Sequence, residues 1–230
     1  MNCIQDLNCC SCSMKSPLFK VMTKEELELI NTNKRQVNFK KGEIIVKQGA
    51  PMSHVISFTS GIAKVYIEGS ANRNLVLRFI KPTNFLGAPG IFANQIHYST
   101  VCAVEESSVC FIDIHVFKEV IRMNPKFAEQ FMELISWNGI FNYERFICLT
   151  QKNTHGRLAD SLIYLHEQIF NERDYQISTS RQDMAELTGM SKDSVIRTLK
   201  ELNEEGVIEI GKQYIRIVEM DKLKKISQIA

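Results

Sequence analysis

The sequence has no long apolar run and no motif of a common enzyme class. No segment approaches 18 consecutive apolar residues, so we expect no transmembrane helix. Residues 1–6 have neither a basic region nor an apolar run, which argues against a secretory signal and places the protein in the cytoplasm. A P-loop, a GxSxG or HExxH motif and a paired-carboxylate cluster are all missing, so we expect no enzymatic activity.

A strong excess of one charge is also missing. The 28 basic and 26 acidic residues give a net charge of +2, which does not by itself indicate a nucleic-acid partner. Residues 154–230 contain 11 basic and 13 acidic side chains, a net charge of −2. A DNA-binding surface in that region must therefore be a local patch. The apolar content of 44% and the charged content of 23% are those of a globular protein with a sizeable core.

The alternation of β-rich runs and turn residues divides the chain into parts. Six short β-rich runs are separated by Gly, Pro, Asn and Ser, and they lie at residues 43–46, 55–59, 62–67, 75–80, 100–104 and 109–114. This spacing predicts an antiparallel sandwich or a small barrel. We expect a cysteine-rich N-terminal segment (1–22), a β-barrel sensor domain (23–124), a long helix (125–152) and a C-terminal domain (153–230).

The segment after Pro125 predicts one long helix. Residues 126–152 contain no proline and a single glycine. Every third or fourth residue forms a seam that is mostly apolar: Phe127, Phe131, Leu134, Asn138, Phe141, Arg145 and Cys148. Because such a seam is typical of paired helices, we favour a dimerisation helix that also packs on the barrel. The alternative is a core helix that lies on the barrel.

Two short helices joined by a glycine turn are predicted near the C-terminus. Ser180 is a predicted N-cap of the first helix, Gly189 permits a turn with positive φ, and Ser191 is a predicted N-cap of the second. The second helix has a predicted buried face of Val195, Leu199 and Leu202. The pattern predicts a helix-turn-helix, and the alternating residues around Gly211 predict a β-hairpin wing.

The polar face of the second helix predicts contacts with DNA bases. The candidates are Lys192, Asp193, Ser194 and Arg197. Basic side chains suit O6 and N7 of guanine, and a carboxylate suits N4 of cytosine. Helix N-termini and cations hold phosphates, so the candidate phosphate contacts are Ser180, Arg181, Gln182, Lys200 and Lys212. The alternative is a protein-interaction module that does not bind DNA.

This order of parts resembles the cyclic-AMP receptor protein/fumarate–nitrate regulator (CRP/FNR) superfamily of bacterial transcription factors. The resemblance covers residues 18–226 and is most specific at residues 39–49, 60–66, 85–92 and in the helix-turn-helix. It implies an α+β fold with three parts: a cyclic-nucleotide-binding-like antiparallel β-barrel (a double-stranded β-helix or jelly roll), a long dimerisation helix and a winged helix-turn-helix. It also implies a homodimer on a two-fold symmetric double-stranded DNA site, with RNA polymerase as a further partner. By resemblance, Lys192, Asp193 and Arg197 fall on base-contacting positions and Arg181 on a phosphate-contacting one.

The expected effector pocket argues against cyclic AMP. Members that bind cyclic nucleotides carry a Glu for the ribose hydroxyl and an Arg followed by a small residue for the phosphate. The pocket positions here are Gly87, Ala88, Tyr98 and Ser99, with Ala88 in place of the Glu and Tyr98 in place of the Arg. A buried phosphate without that Arg loses its bidentate, charge-assisted partner. The barrel is therefore expected to bind another small ligand or none.

The seven cysteines offer a second kind of sensor. An odd number in a cytoplasmic chain indicates thiols or metal ligands more than disulfides. Oxygen-sensing members of the superfamily hold a [4Fe–4S] cluster, and by resemblance its ligands here are Cys3, Cys9, Cys12 and Cys110. The spacing departs from theirs, because the five-residue gap comes before the two-residue gap and Cys10 is additional. A zinc or thiol-redox role, and free thiols on a tail, are the alternatives.

Overall fold

The computed structural model describes residues 8–170, 176–177, 179–212 and 214–228. The chain forms two compact units, of which the first contains residues 1–68 and 79–139 and the second residues 69–78 and 140–230. Within the described ranges, no helix combines the length and the apolar character that crossing a membrane requires.

Short antiparallel strands form the barrel. They are β1 (Lys34–Phe39), β2 (Ile44–Val46), β3 (His54–Ser60), β4 (Ala63–Glu68), β5 (Asn74–Ile80), β6 (Phe85–Leu86), β7 (Thr100–Ala103) and β8 (Ser107–Asp113). One sheet has the order β1-β8-β3-β6 and the other the order β2-β7-β4-β5. Side chains of both sheets, among them Phe58, Val65 and Val109, pack into one buried apolar cluster. This confirms the predicted fold class.

The six predicted β-rich runs are all strands, displaced by at most two residues at either end. Two strands and a helix of the barrel unit are among the elements that were not predicted. β1 begins at Lys34, before the β-rich region was expected to start, and β6 has only two residues. The missed helix is α3 (Ile114–Met123), which Asp113 starts by accepting hydrogen bonds from the backbone N–H groups of His115 and Val116.

Helices cover one side of the barrel and share an aromatic core with it. Besides α3 they are a 3₁₀ turn (Pro17–Val21), α1 (Lys24–Thr32), α2 (Ala88–Phe92) and the first half of α4 (Pro125–Gln151). Phe117 lies 5.0 Å from Phe85, 5.4 Å from Phe127 and 5.2 Å from Phe131, measured between ring centroids. The core of the first unit therefore holds the N-terminal half of α4.

Helix α4 confirms the predicted helix, and both ends of its predicted seam are buried within the chain, while Leu134, Asn138 and Phe141 between them are half-buried. Phe127 and Phe131 are 0% and 2% exposed in the aromatic core, and Arg145 and Cys148 are buried in the second unit. A different face of α4 carries exposed large apolar side chains, and we call it the exposed stripe: Met132, Ile135, Ile140, Tyr143, Phe146 and Ile147. The predicted seam is thus the face that packs within one chain.

The second unit contains a winged helix-turn-helix. Its elements are α5 (Thr154–Tyr164), a π-helical turn (Leu165–Ile169), β9 (Gln176–Ile177), α6 (Arg181–Thr188), α7 (Lys192–Glu204), β10 (Ile208–Ile210), β11 (Ile215–Ile217) and α8 (Met220–Ser227). Strands β10 and β11 pair as a hairpin, and β9 extends it to a three-stranded sheet of order β10-β11-β9. The predicted wing is therefore present.

Candidate nucleic-acid interface

The turn between α6 and α7 is fixed by local chemistry. The Ser180 side chain caps α6 by accepting a hydrogen bond from the Asp183 N–H at 3.0 Å. Gly189 follows α6 with a φ of 63°, a left-handed conformation in which glycine avoids the strain of a side chain. The Ser191 side chain then caps α7 by accepting from the Ser194 N–H at 3.1 Å. The two predicted N-caps and the predicted turn glycine therefore all have the expected roles.

Helix α7 has one buried face and one exposed polar face. The buried residues are Val195, Thr198, Leu199 and Leu202. The exposed side chains include Lys192, Asp193, Arg197 and Lys200, and we call this set the reading face. The structure thus brings three of the four predicted base contacts together on one exposed surface. The fourth, Ser194, is half-buried, and its hydroxyl lies 2.8 Å from the Ser191 Oγ.

The charges of the reading face differ in their surroundings. Lys200 lies 3.5 Å from Glu204, in an exposed i,i+4 pair of little strength. No described residue forms an ion pair with Lys192 or Arg197. These two cations are at the N-terminal half of α7, where the helix dipole adds positive potential. A local cationic patch therefore exists on a domain whose total charge is negative.

The predicted phosphate contacts lie in less uniform positions. Ser180 and Lys212 are exposed, while Arg181 is half-buried and burial lowers the pKa of its guanidinium. Gln182 donates from Nε2 to Glu186 Oε1 at 3.1 Å, and this carboxylate also lies 3.5 Å from Asn74 Nδ2. The amide of Gln182 is thus held by a neighbour on its own helix.

Two side chains of the second unit have surroundings that the sequence did not predict. Ile196 is exposed next to Arg197, although an isoleucine in an amphipathic helix is ordinarily expected inside. Arg145, which was predicted to lie in the α4 seam, instead donates from Nη2 to the Leu187 carbonyl at the end of α6. In the sequence, the presence of this charged residue in a mostly apolar seam was the signal that pointed to a partner within the chain.

Two of the predicted effector residues lie at the start of α2, and the other two lie directly before β7. Gly87 has a φ of 121°, Ala88 begins α2, Tyr98 is exposed and Ser99 is half-buried. The barrel unit also has an open cavity of about 350 Å³, which is lined by Ile44, Ile45, Val46, Lys47, Ala50, Pro51, Ser53, His54, His97 and Phe111. None of the four predicted effector residues lines this cavity, although His97, which precedes Tyr98, does.

Cys9 of the N-terminal segment lies near the barrel cysteine, Cys110. Cys9 and Cys110 are both buried, and burial raises the pKa of the Cys9 thiol to about 11. The ammonium of Lys34 opposes this shift, and the thiols of Cys110, Cys12 and Cys10 add to it.

The thiols have the donor chemistry of an iron–sulfur site, but the thiols that the structure describes do not form a complete site. Thiolates are the ligands such clusters need. In the described ranges, no three His, Cys, Asp or Glu side chains are arranged to hold a metal ion. Cys3, the fourth predicted ligand, lies outside the described residues.

Comparison with protein families identifies both domains. Residues 36–124 match the cyclic nucleotide-binding domain family, and residues 156–226 match the Crp-like helix-turn-helix domain family. The first range contains β2 to β8, and the second contains α6, α7 and the wing.

Known proteins are similar to this chain along most of its length. Electron transport regulator A of Shewanella oneidensis is 27% identical over 227 residues, which cover 96% of this chain and 90% of that protein. The anaerobic regulatory protein of Pasteurella multocida is 27% identical over 223 residues, which cover 95% and 81%. The solved structure of FixK2 from Bradyrhizobium japonicum matches with a TM-score of 0.77 at 18% identity, covering 86% of this chain and 98% of its own, and bears on the fold alone.

Proposed function

Since the chain belongs to the CRP/FNR superfamily of DNA-binding transcription regulators, we propose that two copies bind a two-fold symmetric DNA site, each with α7 in a major groove. The observation that carries the proposal is the reading face, which is an exposed, partly cationic surface on a helix whose other face is fully packed. A major groove about 12 Å wide admits such a helix. The expected role is binding and transcriptional control through RNA polymerase, without catalysis.

Base reading is assigned to the N-terminal half of α7. Lys192 and Arg197 donate to guanine O6 and N7, and Asp193 accepts from cytosine N4. Ser194 makes a smaller contribution, because it is half-buried and its hydroxyl is shared with Ser191.

Phosphate contacts position the helix without reading sequence. Ser180 caps α6 and Arg181 begins it, at an end where backbone N–H groups have no partner within the helix, and Lys212 lies in the turn of the wing. Gln182 and Lys200 are assigned the same role, which for Gln182 requires release of its hydrogen bond to Glu186.

The decisive variant for DNA reading is Arg197→Ala. We expect it to cost about 1–3 kcal/mol of binding free energy on the preferred site and to relax the preference at one base pair of each half-site. The preferred site is first selected from random duplexes, and affinity is then measured by gel shift at several salt concentrations. Binding should weaken with rising salt, because phosphate contacts release counterions.

A charge-matched control separates reading from general attraction. Arg122→Ala removes one exposed cation from α3 in the first unit and should leave the selected sequence unchanged. An Arg197→Ala protein that selects the same sequence with the same affinity would overturn the base-reading assignment.

The cysteine cluster favours a second candidate function, which is redox or oxygen sensing by the same regulator. Its support is that the thiols of Cys10, Cys12 and Cys110 all act electrostatically on the Cys9 thiol, together with the similarity to a protein named an anaerobic regulatory protein. A [4Fe–4S] cluster, when bound, would supply an oxygen-labile group. Cys9, Cys12 and Cys110 are the described residues that would hold it, and they would have to come closer together than the structure places them. Zinc binding and thiol-based redox chemistry are the other roles that these cysteines suit.

Anaerobic purification tests the cysteine proposal. We expect a brown protein that contains iron and sulfide and is bleached by air, and a colourless one for Cys110→Ser. Cys102→Ser is the matched control, because Cys102 lies on β7 in the other sheet and should leave the colour unchanged. Wild-type protein without iron after anaerobic purification would overturn the iron–sulfur proposal.

A further inference from the structure

One large apolar side chain lies beside the reading face of α7. Ile196 keeps 45% of its surface exposed, although α7 has a separate, fully packed apolar face. It lies one helical turn after Lys192 and one turn before Lys200, and it is next to Arg197 in sequence. All three neighbours are exposed, so Ile196 belongs to the surface that faces the proposed DNA.

The position and shape of Ile196 distinguish it from the scattered exposed apolar residues that any protein carries. Its neighbours on this surface are the charged side chains of Lys192, Arg197 and Lys200. A β-branched side chain in a helix has one strongly preferred χ1, so Ile196 presents its methyl groups with little conformational entropy to lose. It is therefore a rigid apolar probe placed among hydrogen-bonding groups.

DNA offers one apolar group to such a probe in the major groove, which is the 5-methyl group of thymine. We propose that Ile196 packs on a thymine methyl group and gives the protein a preference for T·A at one base pair of each half-site. This inference rests on the proposed DNA-binding function. The helix rises about 1.5 Å per residue and base pairs are about 3.4 Å apart, so this thymine lies within about two base pairs of the pair read by Arg197.

Replacement of thymine by deoxyuridine tests the contact, because it removes only the methyl group. Each thymine of the selected duplex is replaced in turn, and the affinity of the full-length protein is measured. For one thymine in each half-site, we expect the wild type to bind about fourfold more weakly after replacement, and about fifteenfold when both half-sites are changed. Because the substitution changes both copies, Ile196→Ala should bind the thymine duplex about fifteenfold more weakly than the wild type and show no further loss on the uracil duplex.

Two further variants make the result specific to the side chain. Ile196→Val keeps the branched carbon and should keep the preference for thymine. Arg197→Ala should bind more weakly overall and still respond to the same uracil replacement, because it leaves Ile196 in place. Circular dichroism of each variant should match the wild type, since both positions are exposed.

The outcomes separate this inference from the function on which it rests. If wild type and Ile196→Ala respond alike to every uracil replacement, the thymine contact is wrong while the DNA-binding function stands. If the wild type retains no duplex even at low salt, the proposed function fails and the thymine contact fails with it.

Discussion

Arg145 is a buried cation that joins two helices of the second unit. Its Nη2 donates to the Leu187 carbonyl in the last turn of α6, and its Nη1 lies 3.9 Å from Cys148 Sγ on α4. Its Nε–H has no hydrogen-bond partner among the described residues. The last carbonyls of a helix have no partner within it and carry partial negative charge, so a guanidinium there is favourable. Arg145 thus fixes α6 against the C-terminal half of α4.

Shortening Arg145 tests this contact. Arg145→Ala should lower the free energy of unfolding by about 2–4 kcal/mol, because it leaves a cavity and an unpaired carbonyl. Arg145→Met fills most of the volume without the hydrogen bond, so it should cost about 1–2 kcal/mol. Urea unfolding followed by circular dichroism measures both. A Met variant more stable than the wild type would show that desolvation of the cation outweighs its hydrogen bonds.

At the residue scale, the sequence predicted functional side chains only where local geometry decided their position. Lys192, Asp193 and Arg197 follow from a capped helix with a regular period, and they are exposed as predicted. The proximity of Cys9 to Cys110 depends on the path of the chain between them, for which the sequence has no local signal; the expectation came from resemblance. Ile196 was missed because apolar residues are ordinarily assigned to the interior.

The helix-turn-helix depends on one glycine whose backbone has a left-handed conformation. Gly189 has a φ of 63°, and a Cβ placed there would lie 3.3 Å from Leu149 Cδ2. Gly189→Ala should therefore cost about 1 kcal/mol of unfolding free energy or more. Gly189→Asn adds the same Cβ but tolerates positive φ better, so it should cost about half as much.

Thermal or urea unfolding of the two Gly189 variants separates backbone strain from crowding. Equal losses for Ala and Asn would show that contact with Leu149 dominates and that the φ angle contributes little. Because the turn sets the angle between α6 and α7, both variants should also bind DNA more weakly than their loss of stability alone predicts.

At the element scale, the spacing of apolar residues predicted where helices and strands lie better than it predicted which of their faces packs inward. The apolar residues of α3 resemble a continuation of β8, and only the Asp113 cap decides that a helix begins there. In α4, apolar side chains lie on two faces. The face of Phe127 and Phe131 matches a heptad seam, yet it fills the barrel core. A sequence with two apolar faces does not state which one the rest of the chain will cover.

At the scale of the whole molecule, we predict that a second copy covers the exposed stripe of α4. In the second unit, Tyr143 and Phe146 of this stripe are 67% and 58% exposed. Contiguous exposed apolar side chains of this kind mark an interaction surface. Two copies of one helix that pair through the same stripe form an isologous, two-fold symmetric interface, which is the symmetry that a palindromic DNA site requires.

Charge placed in the exposed stripe should separate the two copies. Tyr143→Glu and Phe146→Glu bury a carboxylate at the proposed interface, so we expect monomers of 26.4 kDa by light scattering, where the wild type has twice that mass. Each monomer reaches only one half-site, so affinity for the symmetric site should fall by more than tenfold. Lys126→Glu adds the same carboxylate to an exposed position of α4 outside the stripe and should remain dimeric. Phe131→Glu should instead unfold the barrel core. A dimeric Tyr143→Glu protein would place the interface elsewhere.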